Sequence, residues 1–229
     1  MALLFSTSTA AFADIWRHNP IERFKHNHQC DALAYYMLKK GIPFDIILEN
    51  ELPKADLSKY YCVISAGVDY LQKQSADELA QYIKAGGKVI FDKESAVNFA
   101  GLEKAAFDAT TWFRAVAGQY QRESDLRYQC GLLESCLGPY LPGELVICSS
   151  SSMQLNVNYL TDGTSLYVLV VNDDLFGPIK AVLTFNKKYV ITDLLADKTL
   201  ATSDKLKVTV PKSGMLVLQL AKCPDGNKL

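Results

Sequence analysis

Residues 75–91, Ser-Ala-Asp-Glu-Leu-Ala-Gln-Tyr-Ile-Lys-Ala-Gly-Gly-Lys-Val-Ile-Phe, constrain the fold of this chain more than any other stretch. Ser75 and Glu78 have the spacing of a capping box, in which side chains satisfy backbone N–H groups left open at a helix start. Leu79, Tyr82 and Ile83 mark one buried helical face. Gly86-Gly87 supplies a left-handed stop, and Lys88 to Phe91 reads as a buried strand. A helix closed by Gly-Gly that feeds directly into an apolar strand is the local pattern of an α/β sheet. Such sheets place ligands and nucleophiles at the carboxyl ends of their strands. Here those ends are chemically poor.

Residues 2–92 repeat the alternation. Ala2–Phe5 reads as a strand and residues 6–20 as a loop rich in Ser, Thr and Ala. Residues 21–40 read as a helix, with Cys30, Leu33, Ala34, Met37 and Leu38 at core spacing and Gly41 as its stop. Further strands are expected at Phe44–Leu48, Tyr60–Ser65 and Lys88–Asp92. A β-α-β-β-α-β order with connections of crossover length implies a mainly parallel, flavodoxin-like sheet. Residues 95–150 show helical patches around 102–107 and 125–137, then turn signals at Gly138-Pro139 and Pro142-Gly143.

From about residue 152 the period changes from 3.6 to 2. Met153, Leu155, Val157 and Tyr159 alternate with Gln154, Asn156 and Asn158. Thr161-Asp162-Gly163-Thr164 reads as a hairpin turn, and Leu166–Val171 as a central strand. Strands at 179–185, 188–192, 205–210 and 215–220, with Pro178 and Pro211 at turns, complete a small antiparallel β-sandwich. The expected fold is therefore α/β plus all-β. An α/β domain with a connector occupies residues 1–150, and the sandwich occupies residues 151–229.

Composition narrows the partners. Of 229 residues, 49% are hydrophobic and 21% charged, which suits packed cores rather than disorder. The 24 basic and 25 acidic side chains nearly cancel, and the arginines (Arg17, Arg23, Arg114, Arg122, Arg127) are not clustered. Neither half carries the basic stripe of a nucleic-acid binder. The cysteines include no C-x-x-C pair, as expected of a reducing compartment. The start ends in a small-x-small run, Ala11-Phe12-Ala13, but lacks a basic n-region and its apolar core is short. A first strand and loop, and a cytoplasmic location, are the better expectation than a cleaved signal. No run approaches the ~20 apolar residues of a membrane span.

These residues resemble a known family. Residues 1–100 look like the amidotransferase-like α/β domain that follows the catalytic barrel in certain bacterial β-galactosidases, often called the trimerisation domain. The likeness is carried by Ala2-Leu-Leu-Phe, Leu38-Lys-Lys-Gly-Ile-Pro-Phe-Asp-Ile-Ile, Leu57-Ser-Lys-Tyr-Tyr-Cys-Val-Ile-Ser and Tyr82-Ile-Lys-Ala-Gly-Gly-Lys-Val-Ile. The second half is similar to the small C-terminal sandwich of such glycosidases, through Val157-Asn-Tyr, Leu166-Tyr-Val-Leu-Val-Val-Asn, Ile191-Thr-Asp-Leu-Leu and Gly214-Met-Leu-Val-Leu. The resemblance implies a homo-oligomer, or association with a catalytic glycosidase domain. It also implies that this region borders a neighbouring subunit's active site. These glycosidases cleave with two carboxylates on a large barrel, for which 229 residues leave no room.

Candidate chemistry is thin. The Gly-x-Cys-x-Gly elbow that would carry an amidotransferase nucleophile is absent, and His18, His26 and His28 all precede every cysteine. His26-Asn-His28-Gln-Cys30 invites a metal reading, but His-x-His on a helix aims its rings about 200° apart. Polar residues at a helix entrance are the simpler account, and neither a metal nor a cofactor is expected. Asp69, Asp92 and Glu94 lie at or beyond strand ends, where paired carboxylates do acid–base work or cap the next turn. Trp16 with Arg17, and Trp112 with Arg114, pair an aromatic ring with a guanidinium, as sugar-stacking sites and interfaces do. Three readings remain: a non-catalytic assembly region of a glycosidase-like protein, a stand-alone carbohydrate-binding protein, and a small hydrolase using the three acids.

Overall fold

A computed structural model of the chain describes residues 1–16, 25–107, 123–141, 146–162, 164–172 and 177–223. The described residues divide into two compact units. The first carries a five-stranded parallel sheet of β1 (Ala2–Phe5), β2 (Asp45–Leu48), β3 (Cys62–Ser65), β4 (Lys88–Asp92) and β5 (Glu103–Ala105), in the order β2-β1-β3-β4-β5. That is the strand order of flavodoxin-like doubly wound sheets, with its switch point between β1 and β3. The helices of this stretch are α1 (Thr7–Trp16), α2 (Lys25–Lys40) and α3 (Lys73–Lys84).

Both sheet faces are covered, which explains the unbroken apolar strands. Ala2, Leu4, Val63, Val89 and Phe91 share a core with Leu79 and Tyr82 of α3. The alternate residues Leu3, Cys62, Ile64 and Ile90 are equally buried. In α2, Cys30, Leu33 and Met37 are buried as their spacing predicts. Gly86 takes a φ of 95°, the left-handed stop expected after α3.

Three local readings change. The Ser/Thr/Ala-rich run after β1 is not a loop but helix α1, opened by Ser6, whose Oγ accepts the N–H of Thr9 at 3.0 Å. Residues 103–105 form β5 rather than a helix, because Ile90 and Asp92 offer a free parallel edge to Glu103 and Ala105. The Ser75–Glu78 capping box does not form. Helix α3 starts at Lys73, and the buried Ser75 hydroxyl donates to the Glu49 carbonyl at 3.3 Å.

The sheet of the second unit is antiparallel throughout. Its strands are β6 (Cys148–Ser150), β7 (Leu155–Thr161), β8 (Leu166–Asn172), β9 (Ile179–Asp193), β10 (Lys198–Val210) and β11 (Met215–Lys222). A further helix, α4, spans Glu123–Leu137. The strands join in one six-stranded sheet, ordered β10-β9-β11-β8-β7 with β6 also on β9. The two strands expected at 179–185 and 188–192 are one long strand. Opposite β10 the register slips, so that Thr184 faces Lys205 and Tyr189 faces Ser203. Such an irregularity bends a strand and increases its twist. Odd-numbered residues stay buried on both sides of the slip, from Ile179 to Phe185 and from Tyr189 to Asp193. The sheet therefore wraps one apolar core, which includes Leu155, Val168, Leu183, Ile191 and Leu218.

Tyr159 anchors the start of this sheet. Its hydroxyl donates to the Cys148 carbonyl at 2.6 Å and accepts the Cys148 N–H at 2.8 Å. Burial pushes its phenol well above the ordinary range. Tyr159→Phe leaves both backbone groups without that partner, so urea unfolding should show a loss of about 1–3 kcal/mol. An unchanged midpoint would show that the hydroxyl is replaceable.

Candidate functional site

The switch point of a doubly wound sheet is where ligands bind, and in this chain the apolar strands there end in polar or small residues. Phe5 is followed by Ser6-Thr7-Ser8-Thr9, Leu48 by Glu49, Ser65 by Ala66-Gly67, and Phe91 by Asp92. The structure turns most of these groups on one another.

Glu49 is fully buried. One carboxylate oxygen accepts the Ser8 N–H at 2.8 Å and lies 3.1 Å from the Ser6 hydroxyl. The other accepts the Gln72 N–H at 2.6 Å and the Ser8 hydroxyl at 3.0 Å. Ser8 sits in the first turn of α1, where open N–H groups and the helix dipole favour an anion. Glu49 supplies that anion from within the chain. Thr9 extends the same web: its Oγ1 accepts the Tyr70 N–H at 2.9 Å and the Asp69 N–H at 3.2 Å.

Asp92 is also fully buried. Its Oδ1 accepts the Gly67 N–H at 2.8 Å and the Ser95 hydroxyl, and its Oδ2 has no partner among the described residues. Gly67 takes a φ of 63°, a conformation that strains residues with a Cβ, and a Cβ there would displace the Gln29 carboxamide. The Ser95 hydroxyl in turn accepts the Val68 N–H at 2.9 Å.

His26, at the entrance of α2, is 2% exposed. Nε2 accepts the Ser6 N–H at 2.8 Å, and Nδ1 lies 2.7 Å from the Ala66 carbonyl, which it must reach as a donor. Both nitrogens are thus committed in the neutral ring, and burial lowers its pKa below 6.5, in keeping with that form. Cys30, one helical turn on, lies 3.7 Å from His26 Nδ1. Burial pushes its thiol up to about 12, which suppresses the thiolate that attacks substrates.

The three acids read from the sequence take different environments. Asp92 points inward, Asp69 is partly buried in the loop beyond β3, and Glu94 is exposed, 3.9 Å from its neighbour Lys93. Among the described residues no group of three or more His, Cys, Asp or Glu side chains is placed to hold a metal ion. Trp16 ends α1, but its side chain, together with Arg17, Trp112 and Arg114, lies outside what the structure describes. Sequence reasoning missed Glu49, whose signal was an acid directly after the apolar β2. It also missed Phe12 and Tyr70, which are 42% and 46% exposed and stack with centroids 4.2 Å apart.

Residues 1–126 match the family described as the β-galactosidase trimerisation domain, more than half of the chain. The chain belongs to that family. No curated protein gives a match. Among solved structures, the trimerisation-domain chain is similar to the β-galactosidase of Bacillus circulans sp. alkalophilus, with a TM-score of 0.61 and 12% identity over 96% of this chain and 41% of that one. A GH42 β-galactosidase from G. stearothermophilus gives a TM-score of 0.61 at 11% identity, over 96% and 40% of the two chains. The α-L-fucosidase isoenzyme 2 of Paenibacillus thiaminolyticus reaches the same score at 9% identity, over 97% and 48%. At such identities the likeness is one of fold, and it extends to enzymes of different named activity. The trimerisation-domain chain spans between two fifths and half of these solved chains. No helix among its described residues is long and apolar enough to cross a membrane.

Removing the Glu49 carboxylate leaves the Ser8 and Gln72 N–H groups without their acceptor. Glu49→Ala should therefore cost roughly 2–6 kcal/mol in urea unfolding, counting two orphaned donors. A cost below about 1 kcal/mol, within the range of surface substitutions, would show that water replaces the carboxylate.

Proposed function

We propose that this chain is a non-catalytic assembly region of a glycosidase-like protein, forming a homo-oligomer or joining a catalytic glycosidase domain. The observation that carries the reading is the commitment of the strand-end polar groups to one another: Glu49 to α1, His26 to two backbone groups, Asp92 to Gly67 and Ser95. Family membership over residues 1–126 supports the same reading. The half-exposed Phe12–Tyr70 stack is an apolar feature that an interface between copies would bury. A cytoplasmic location fits cysteines that form no disulfide among the described residues.

A carbohydrate-binding role is the second reading, and the same stack favours it, since exposed aromatic rings also cover sugar faces. The hydrolase reading would use Asp69, Asp92 and Glu94, and the opposite orientations of Asp92 and Glu94 weigh against it.

Light scattering on the purified chain separates the readings. Assembly predicts the mass of a dimer or trimer, lowered toward the monomer by Phe12→Glu, with no hydrolysis of a chromogenic galactoside. A monomer at all accessible concentrations that also fails to associate with a catalytic glycosidase barrel would overturn it. A monomer that binds a neutral oligosaccharide, and loses it in the Tyr70→Ala variant, would establish the second reading.

A further inference from the structure

The second unit holds one concavity whose lining is dictated by sheet register. Thr161 pairs with Leu166, Leu166 with Leu220, and Leu220 with Ile191, a single row across β7, β8, β11 and β9. Directly paired residues share a sheet face. Ile191 and Leu220 are 0% and 4% exposed and belong to the core, so this row lies on the inner face. On the same face, Lys222 pairs with Tyr189. Along each strand this face then passes from apolar to polar. Leu155 and Val157 are buried but Thr161 is exposed, and Leu218 and Leu220 are buried but Lys222 is exposed. The core thus opens at one end into a mouth of about 480 Å³, bordered by Lys187, Lys222, Thr161, Ser165 and Gln219, with Leu166 and Leu220 at its apolar floor.

Among the described residues no carboxylate lines this mouth, and neither Lys187 nor Lys222 forms an ion pair. The Lys187 ammonium instead lies 5.4 Å from the centroid of the Tyr189 ring. The adjoining acid, Asp162, is turned into its own hairpin. It accepts the N–H groups of Ser165 at 2.7 Å and Thr164 at 2.9 Å, and the Thr164 hydroxyl at 2.7 Å. Those bonds hold its carboxyl well below the usual range and spend its acceptor capacity locally.

Open ends of curled sheets are common ligand positions, where an apolar floor takes a ring and a few polar groups fix its orientation. Two ammonium groups among hydroxyls and a carboxamide suit a ring that bears both hydroxyls and a negative charge. We propose that this mouth binds an acidic saccharide unit, its carboxylate or sulfate ester held by Lys187 and Lys222. The Thr161 hydroxyl, which donates to the Ser165 carbonyl at 3.0 Å, accepts from a sugar hydroxyl, and Leu166 and Leu220 meet its C–H face. This role is independent of the assembly reading, since it uses the second unit alone.

The test is calorimetric titration of the full chain, with amide NMR mapping, against four probes: an oligogalacturonide trimer, a sulfated galactose, neutral galactotriose and inorganic sulfate. One or both acidic sugars should bind and shift the amides of residues 161–166, 187–189 and 219–222. Whichever binds identifies carboxylate or sulfate ester as the recognised group. The Lys187→Ala/Lys222→Ala pair should lower that affinity at least about tenfold, the loss expected for a charge-assisted hydrogen bond. As a control, Lys180→Ala/Lys207→Ala removes equal charge from a separate concavity on β9 and β10 and should leave binding unchanged. The proposal is overturned if neither acidic sugar binds, if inorganic sulfate binds as tightly as the sugars, or if both lysine pairs cause the same loss.

Discussion

The structure of the first unit depends on the carboxylate of Glu49. A fully buried carboxylate is costly unless hydrogen bonds replace its water. Here the two oxygens take N–H groups from Ser8, at the start of α1, and Gln72, just before α3. One side chain at the end of β2 therefore ties together the loops that follow β1 and β3. It also fills the place at a helix N-terminus where doubly wound folds receive a ligand's negative charge. The sheet keeps the architecture of a binding fold while its own side chain takes the anion's position.

His26 and Asp92 extend the same logic toward the centre of the sheet. His26 joins the Ser6 N–H to the Ala66 carbonyl, and Asp92 joins the loop after β3 to Ser95. Each is a residue type that enzymes use for proton transfer, and backbone or hydroxyl groups take both nitrogens of His26 and one carboxylate oxygen of Asp92. The second unit distributes its polar groups differently. There the core-facing row ends in lysines with no acidic partner among the described residues. Uncommitted charge, not residue type, is what separates a candidate binding surface from a structural network.

The sequence made some elements legible and hid others for physical reasons. Strands β1, β3 and β4 were readable because both faces of the sheet are buried, which gives unbroken apolar runs. Helix α1 was hidden because Ser6-Thr7-Ser8-Thr9 resembles a turn locally, and the Ser6 cap is reinforced by Glu49, distant in sequence. Ser75 was misread for the same reason: its hydroxyl is claimed by the Glu49 carbonyl rather than by its own helix. Strand β5 is three residues long and exists because β4 offers an edge. The join of 179–185 to 188–192 was invisible because Asn186-Lys187-Lys188 has the composition of a turn, yet the chain continues through it as a bent strand. Of the candidate site residues, Asp92 was singled out by its position at a strand end. Its inward orientation, and the outward one of Glu94, depend on packing that no spacing rule encodes.

The central claim is that the switch-point polar groups form a structural lock rather than an open site. Native-state hydrogen exchange of the Ser8, Gly67 and Gln72 amides tests it most directly, because locally opening regions exchange far faster than those freed only by global unfolding. The account predicts that all three exchange with the free energy of global unfolding of the first unit. Exchange at the rate of surface loops such as 93–101 would contradict it, and would mean that the Glu49 and Asp92 carboxylates are released often enough to meet a ligand.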